Sequence, residues 1–426
     1  AYVDHPSFGP AILCRLLEKH GYKVGIIPQP DWHSIRDFNR LGKPRLGFLV
    51  SAGNMDSLLN KFTAAKKVRH QDAYSPGGKA GFRPERATIV YCNRLRELYA
   101  DVPIIIGGIE ASLRRMAHYD YWSNSVRRSI LVDSQADLLV FGMGERALLE
   151  IAADLQQGVA IENIQDVQGT CYRVPNMDYV WDYLPLPSYS EVKNQKEKFA
   201  KAFKIEYLEQ DAIRGKRIAQ QNDEWCVVQN PPARPLNEAE MDEIYDLPYQ
   251  RTWHPIYDKA GGVPAIKEVQ FSLVSQRGCF GGCNFCAIIS HAGRIIQRRS
   301  QASLIREAKI LTKMPGFKGY IHDVGGPTAN FRRPSCDAQL KRGTCRGKPC
   351  LSPLPCKNLV ADHSDYIELL RKLRALPGVK KVFVRSGIRF DYLLLAKDAF
   401  LTELCKYHVS GQLKVAPEHV SDAVLD

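Results

Sequence analysis

The chain has 426 residues, 45% hydrophobic and 25% charged, values of an ordinary globular protein with room for two or more domains. No apolar run approaches the roughly 20 residues that a membrane helix needs, so nothing reads as spanning or sitting in a membrane. Fifty-nine Lys+Arg against 46 Asp+Glu give +13, a surplus that suits anionic partners, RNA among them. It is scattered in pairs such as Arg114-Arg115, Arg127-Arg128, Arg298-Arg299 and Arg332-Arg333, which reads first as a solvated surface. Twelve cysteines without a secretory leader point to a reducing, cytoplasmic compartment and to metal chemistry, not to a disulfide framework. The first residue is not methionine and Asp426 falls in what reads as an opening helix, so the chain reads as a fragment.

Residues 1–160 alternate helix-period and strand-like segments, the pattern of a parallel α/β sheet. Tyr2-Val3 reads as the tail of a strand leading into Asp4-His5-Pro6-Ser7-Phe8-Gly9, and an amphipathic helix over 11–20 stops at Gly21. Strands are predicted over 24–27, 46–51, 103–106 and 137–141, and helices over 56–68 and 85–98. Ligands bind such sheets beyond the carboxyl ends of the strands. Those loops include Ala52-Gly53-Asn54, Gly107-Gly108-Ile109-Glu110 and Gly142-Met143-Gly144-Glu145, the last opening a helix to about Gln157 whose N-terminus favours an anion. Residues 161–262 read as a connector, with a charged helix over 191–211 and a hairpin of 216–219 with 225–229 around Asn222-Asp223.

From 263 strand and helix alternate again. A strand over 268–274 meets a cysteine loop; a helix over 303–313 and a strand over 317–324 lead to Gly325-Gly326-Pro327-Thr328-Ala329-Asn330. A strand over 381–384 precedes Arg385-Ser386-Gly387-Ile388-Arg389-Phe390-Asp391, and one over 413–416 ends in Pro417-Glu418-His419. The cysteine loop, Cys279-Phe280-Gly281-Gly282-Cys283-Asn284-Phe285-Cys286, has the spacing C-x3-C-x2-C. A zinc site wants four ligands, usually from paired knuckles. Three thiolates suit an iron–sulfur cube with one iron left open to substrate. Gly281 and Gly282 let the loop curl and bring N–H groups toward the sulfurs, and Phe280 and Phe285 keep water away. A second group, Cys336, Cys345, Cys350 and Cys356, lies in an insert over 331–358 that is too poor in apolar residues to form a core. Its four thiolates offer a staple through zinc or a second cluster.

The C-x3-C-x2-C loop after a strand resembles the signature of the radical S-adenosylmethionine (SAM) superfamily. The resemblance implies that Cys279, Cys283 and Cys286 carry a [4Fe–4S] cluster whose open iron chelates SAM. An electron then cleaves SAM into methionine and a 5′-deoxyadenosyl radical, which abstracts hydrogen from a substrate. Phe285 matches the aromatic that packs on adenine, and Gly325 and Gly326 match the pair that receives the methionine amino group. Pro327 replaces the usual glutamate there, with Asp323 as a substitute acceptor; Glu418 matches a residue contacting SAM ribose or methionine. The glycine loops of residues 1–160 resemble a cobalamin-binding-type domain, with Met143 in place of a glutamate. Asp4 and His5 are adjacent, which departs from the D-x-H-x-x-G cobalt-ligand pattern and argues against cobalamin.

Residues 1–9, 276–286, 325–330 and 414–419, with the four-cysteine insert, resemble the YgiQ-type radical SAM proteins over essentially the whole chain. The implied fold is α/β: an N-terminal Rossmann-like parallel-sheet domain over 1–160, the connector over 161–262, and a partial (β/α) barrel over 263–426, truncated at its C-terminus. An electron donor of flavodoxin or ferredoxin type is implied as partner. The competing enzymes are a cobalamin-dependent methylase and a tRNA-modifying methylthiotransferase-like enzyme. A metal-stapled nucleic-acid-binding scaffold, with zinc at the three loop cysteines, is the competitor of another class.

Overall fold

Period-two apolar runs become strands buried on both faces of one sheet. Ile104 and Ile106 point into one core with Leu139, Phe141, Cys171, Ile218 and Val227. Ile105 points into the opposite core with Leu138, Val140, Tyr172, Val174, Cys226 and Val228. In this computed structural model, which describes residues 1–283, 285–396, 399–413, 415 and 421, the sheet has seven strands. Their spatial order is Phe48–Val50, Ile104–Ile106, Leu138–Val140, Thr170–Val174, Trp225–Gln229, Arg217–Asn222 and Tyr183–Pro185.

The first three strands are parallel, as expected for the N-terminal α/β segment. The rest make the sheet mixed: Thr170–Val174 runs antiparallel to Leu138–Val140 and to Trp225–Gln229. The hairpin forms with Asn222 paired to Trp225, and Asp223 takes the positive φ of 54° that so tight a turn requires. Four of the seven strands therefore come from the stretch that reads as a connector. Two of them are the expected hairpin, whose polar side chains Gln220, Asn222 and Gln229 are fully buried, so that it lies inside the sheet and not outside it as a connector. Gln220 accepts from Ala117 N at 2.8 Å and donates to Pro187 O at 2.9 Å, and Gln229 accepts from Arg115 Nε at 2.6 Å. With Gln220 bonded through both its oxygen and its nitrogen and Gln229 through its oxygen, amides occupy a core without an apolar signature.

Several sequence expectations change. The charged helix expected over 191–211 is two, Tyr189–Asn194 and Lys196–Leu208, and the strand expected over 268–274 is Ser272–Val274 after a helical turn Ile266–Val269. Among the described residues no strand forms over 24–27, just ahead of Pro28 and Pro30, which remove ladder donors and restrict their neighbours. The helix expected over 56–68 is the single turn Ser57–Lys61, capped by Asp56. No helix among the described residues is long and apolar enough to cross a membrane.

The chain divides into two units, Ala1–Arg234 with Tyr249–Ala265, and Pro235–Pro248 with Ile266–Asp426. In the second, Ser272–Val274 pairs in parallel with Asp323–Gly325, and Tyr320–Ile321 with Lys381–Val382. The expected strand over 317–324 is thus two short ones with different neighbours. Helices Gln301–Leu311 and Ser364–Arg374 cover these strands through Leu304, Ala308, Leu311, Leu369, Leu370 and Leu373. Helix Glu238–Tyr245, opened by a capping box of Asn237 and Glu240, is tied to the same unit by Arg298–Glu238 at 2.7 Å and Arg306–Asp246 at 2.5 Å.

Candidate metal centre

The three-cysteine loop is an excursion closed at its base by the two-residue ladder of Gln276–Arg277 with Gln297–Arg298. Gly278 starts it at φ +82°, where a Cβ would collide with the carbonyl oxygen of Ile295. Only glycine lets the two ends of the loop approach so closely. Cys279 N donates to Gly293 O at 3.1 Å and Cys286 N to Cys283 O at 3.0 Å, which curls the segment. Phe280 is fully buried, stacked on Phe331 at 3.8 Å and edge-on to Tyr392. Phe285 is 68% exposed, so of the two phenylalanines expected to exclude water, Phe280 alone forms a wall.

All three thiols are half-buried. Burial pushes the Cys279 thiol up, and hydrogen bonds from Thr328 Oγ1, 3.3 Å away, and Gly281 N, at 3.4 Å, pull it back. Cys283 Sγ accepts from Arg389 Nη1 at 3.0 Å. A Cβ at Gly281 would sit 3.4 Å from Cys279 Sγ and 3.8 Å from Cys283 Sγ, so both sulfurs flank this position. Among the described residues no three His, Cys, Asp or Glu side chains are placed to hold one metal ion. A cube gives each cysteine its own iron, and hydrogen-bond donors aimed at the sulfurs are the usual complement of such a centre. The donor set fits the cube.

Gly325 and Gly326 lie beside this loop because their strand pairs with Ser272–Val274, in register Val274 to Gly325. Gly325 O accepts from Ser275 N at 2.7 Å, and a Cβ on either glycine would strike Ser386 or the Gln276 backbone. Asp323 is committed elsewhere: its carboxylate accepts from Arg385 N at 2.7 Å, Ser386 N at 3.1 Å and the Ser386 hydroxyl. Gln276 Nε2 holds Thr328 O at 2.9 Å, and Asn330 Oδ1 accepts from Arg389 N at 2.9 Å. Loops 276–286, 325–330 and 385–391 thus form one hydrogen-bonded group. The sequence singled out these segments but not the roles of Thr328, Asn330 and Arg389, which become visible only once the loops meet. Glu418 and His419 lie outside the described residues.

In the first unit, Asp4 pairs with Arg15 and accepts from Gln250 N at 2.9 Å, and His5 Nδ1 accepts from Ser7 N at 3.1 Å. Asp4 thus ties its strand to the following helix and to the segment at Gln250, and His5 Nδ1 serves the turn it stands in.

The Radical SAM N-terminal family model matches residues 1–272. The chain belongs to the radical SAM superfamily. It is of the UPF0313 type: a UPF0313 protein of Clostridium botulinum (strain ATCC 19397 / Type A) is 60% identical over 427 residues, covering 100% of this chain and 66% of the relative. One from Clostridium perfringens (strain 13 / Type A) is 57% identical, covering 100% and 64%. The chain therefore spans just under two thirds of the length of these relatives. A structure of the radical SAM methyltransferase TsrM from Kitasatospora setae, with tryptophan and a SAM analogue bound, aligns at 15% identity and a TM-score of 0.44, covering 92% of this chain and 54% of that one. The cofactors of this superfamily are a [4Fe–4S] cluster and SAM.

Proposed function

We propose that this chain forms the catalytic portion of a radical SAM enzyme in which Cys279, Cys283 and Cys286 ligate the cluster. The observation that carries this reading is the glycine-hinged loop with protein donors on the sulfurs of both Cys279 and Cys283. When bound, the cluster supplies one electron to the sulfonium of SAM, whose cleavage yields methionine and a 5′-deoxyadenosyl radical that takes hydrogen from substrate.

Within that scheme Phe280, Phe331 and Tyr392 exclude water from one side of the thiolates. Gly325, Gly326 and Glu418 would contact SAM, and Phe285, exposed next to the third ligand, would pack on its adenine. Residues 1–160 act as a cobalamin-binding-type domain with or without a corrin, and residues 263–426 as a partial barrel whose parallel strands start at Ser272. The reduced thiols suit a cytoplasmic setting with a flavodoxin- or ferredoxin-like donor.

Anaerobic reconstitution followed by dithionite and SAM is expected to give 5′-deoxyadenosine. Cys283→Ala is expected to lose both the iron and the product. A complete cluster with no deoxyadenosine would falsify the catalytic reading, and zinc without iron at the three cysteines would favour the nucleic-acid scaffold.

A further inference from the structure

We infer that Arg389 is a positioning residue for the cluster ligand Cys283, and that its ion pair with Asp391 sets the reduction potential of the centre. The inference rests on the reading of Cys283 as a ligand and extends it to a guanidinium and a carboxylate outside the ligand set.

Arg389 Nη1 donates to Cys283 Sγ across 3.0 Å. The opposite edge of the guanidinium is clamped, Nε to Asp391 Oδ1 at 2.7 Å and Nη2 to Asp391 Oδ2 at 2.8 Å. The main chain at Arg389 is held as well, its N donating to Asn330 Oδ1 at 2.9 Å and its O accepting from Asn330 Nδ2 at 3.1 Å. Asp391 itself accepts from Tyr392 N at 2.7 Å, and the Tyr392 side chain is fully buried against Phe280 and Phe331. With Nε and one Nη2 N–H held by Asp391 and the backbone held by Asn330, the planar fork is fixed in place, and an N–H of Nη1 meets the sulfur. Gly281 keeps the approach open, because a Cβ there would stand 3.3 Å from Nη1. The donors on Cys279, a threonine hydroxyl and a backbone N–H, are neutral.

A charge-assisted donor stabilises the more electron-rich state of the sulfur it contacts. Arg389 therefore favours the 1+ cluster over the 2+ state, and Asp391 moderates that effect by neutralising the guanidinium. Removing either half of the pair moves the potential in opposite directions. A merely structural role for the pair predicts loss of the cluster or no shift, not shifts of opposite sign.

The test is an anaerobic titration of the reconstituted protein with dithionite and redox mediators, without SAM, following one-electron reduction by electron paramagnetic resonance. At the poise where the parent is half reduced, Arg389→Met is expected to lower the reduced-to-oxidised ratio about tenfold, equivalent to a midpoint about 59 mV more negative. Asp391→Asn is expected to shift it the other way, and Arg389→Lys, which keeps charge but not the fork, to shift it less than Arg389→Met. Coincident midpoints in the parent and these variants overturn the inference and leave the cluster reading standing. A parent-like cluster in Cys283→Ala overturns the cluster reading itself. If Arg389→Met retains too little cluster to titrate, Arg389→Lys and Asp391→Asn carry the comparison, and coincident midpoints there overturn the inference equally.

Discussion

Cys279, Cys283 and Cys286 sit in a loop gripped on several sides, whereas Cys336, Cys345, Cys350 and Cys356 sit in a segment that is apolar and buried only in part. The first group has a glycine hinge under Ile295, a buried phenylalanine inside its turn, and side chains from two other loops on its sulfurs. In the second, Cys336 caps the six-residue helix Asp337–Arg342, Cys356 N donates to Cys350 O at 2.9 Å, and Leu359 N to Cys356 O at 2.9 Å. Its apolar side chains divide: Leu351 joins Phe280 in the core, but Leu340 is 53% and Leu354 72% exposed. Burial raises the Cys350 thiol, with Ser335 and Arg294 opposing and Cys345 and Cys336 adding to it. The difference teaches that cysteine spacing nominates a metal site, but the groups that surround the sulfurs decide what the site does.

The comparison breaks most severely at Phe280. Phe280→Ala opens a void between Phe331 and Tyr392 and is expected to cost about 3–5 kcal/mol. Hydrogen exchange over 272–300 should then accelerate and the iron content fall. If iron and exchange both stay at parent levels, the rigid surround is not what defines the first site. Gly278→Ala comes next. A methyl at φ +82° against the Ile295 carbonyl costs roughly 2–3 kcal/mol through backbone strain and overpacking. Opening of the Gln276–Arg277 ladder, read as faster exchange of the Arg277 amide, is the expected mark.

How much of this was legible beforehand follows the physics of each signal. The helix ends at 9–19 and 87–98 fell close to expectation because glycine, proline and amphipathic spacing act locally. The three parallel strands were readable because isoleucine, leucine and valine fill them. The hairpin strands were readable from their alternation around Asn222-Asp223, but not their place in the sheet, where Gln220, Asn222 and Gln229 accept from groups about a hundred residues away that no local pattern encodes. The strands Thr170–Val174 and Tyr183–Pro185 were not foreseen. The metal loop was visible as spacing and glycines, while its donors were not: Arg389 is 106 residues from Cys283 and Thr328 is 49 from Cys279. Asp323, a plausible acceptor by position, was already taken by the Arg385-Ser386 backbone.

The smallest effect is expected at Cys345, the exposed member of the insert. Substitution of an exposed side chain away from packed contacts usually changes stability by no more than about 0.5 kcal/mol. Cys345→Ser should therefore leave the iron of the three-cysteine loop intact and deoxyadenosine formation within about twofold of the parent, the equivalent of that energy. If the insert is stapled by metal, the same variant should lose that metal alone, read as zinc or additional iron per chain by elemental analysis. Cys350→Ser should spread further, because Cys350 packs against the cluster of side chains around Phe280. Were Cys345→Ser to empty the three-cysteine loop of iron, the two groups would be one centre, joined where Pro349 stands 3.5 Å from the position a Cβ on Gly282 would take.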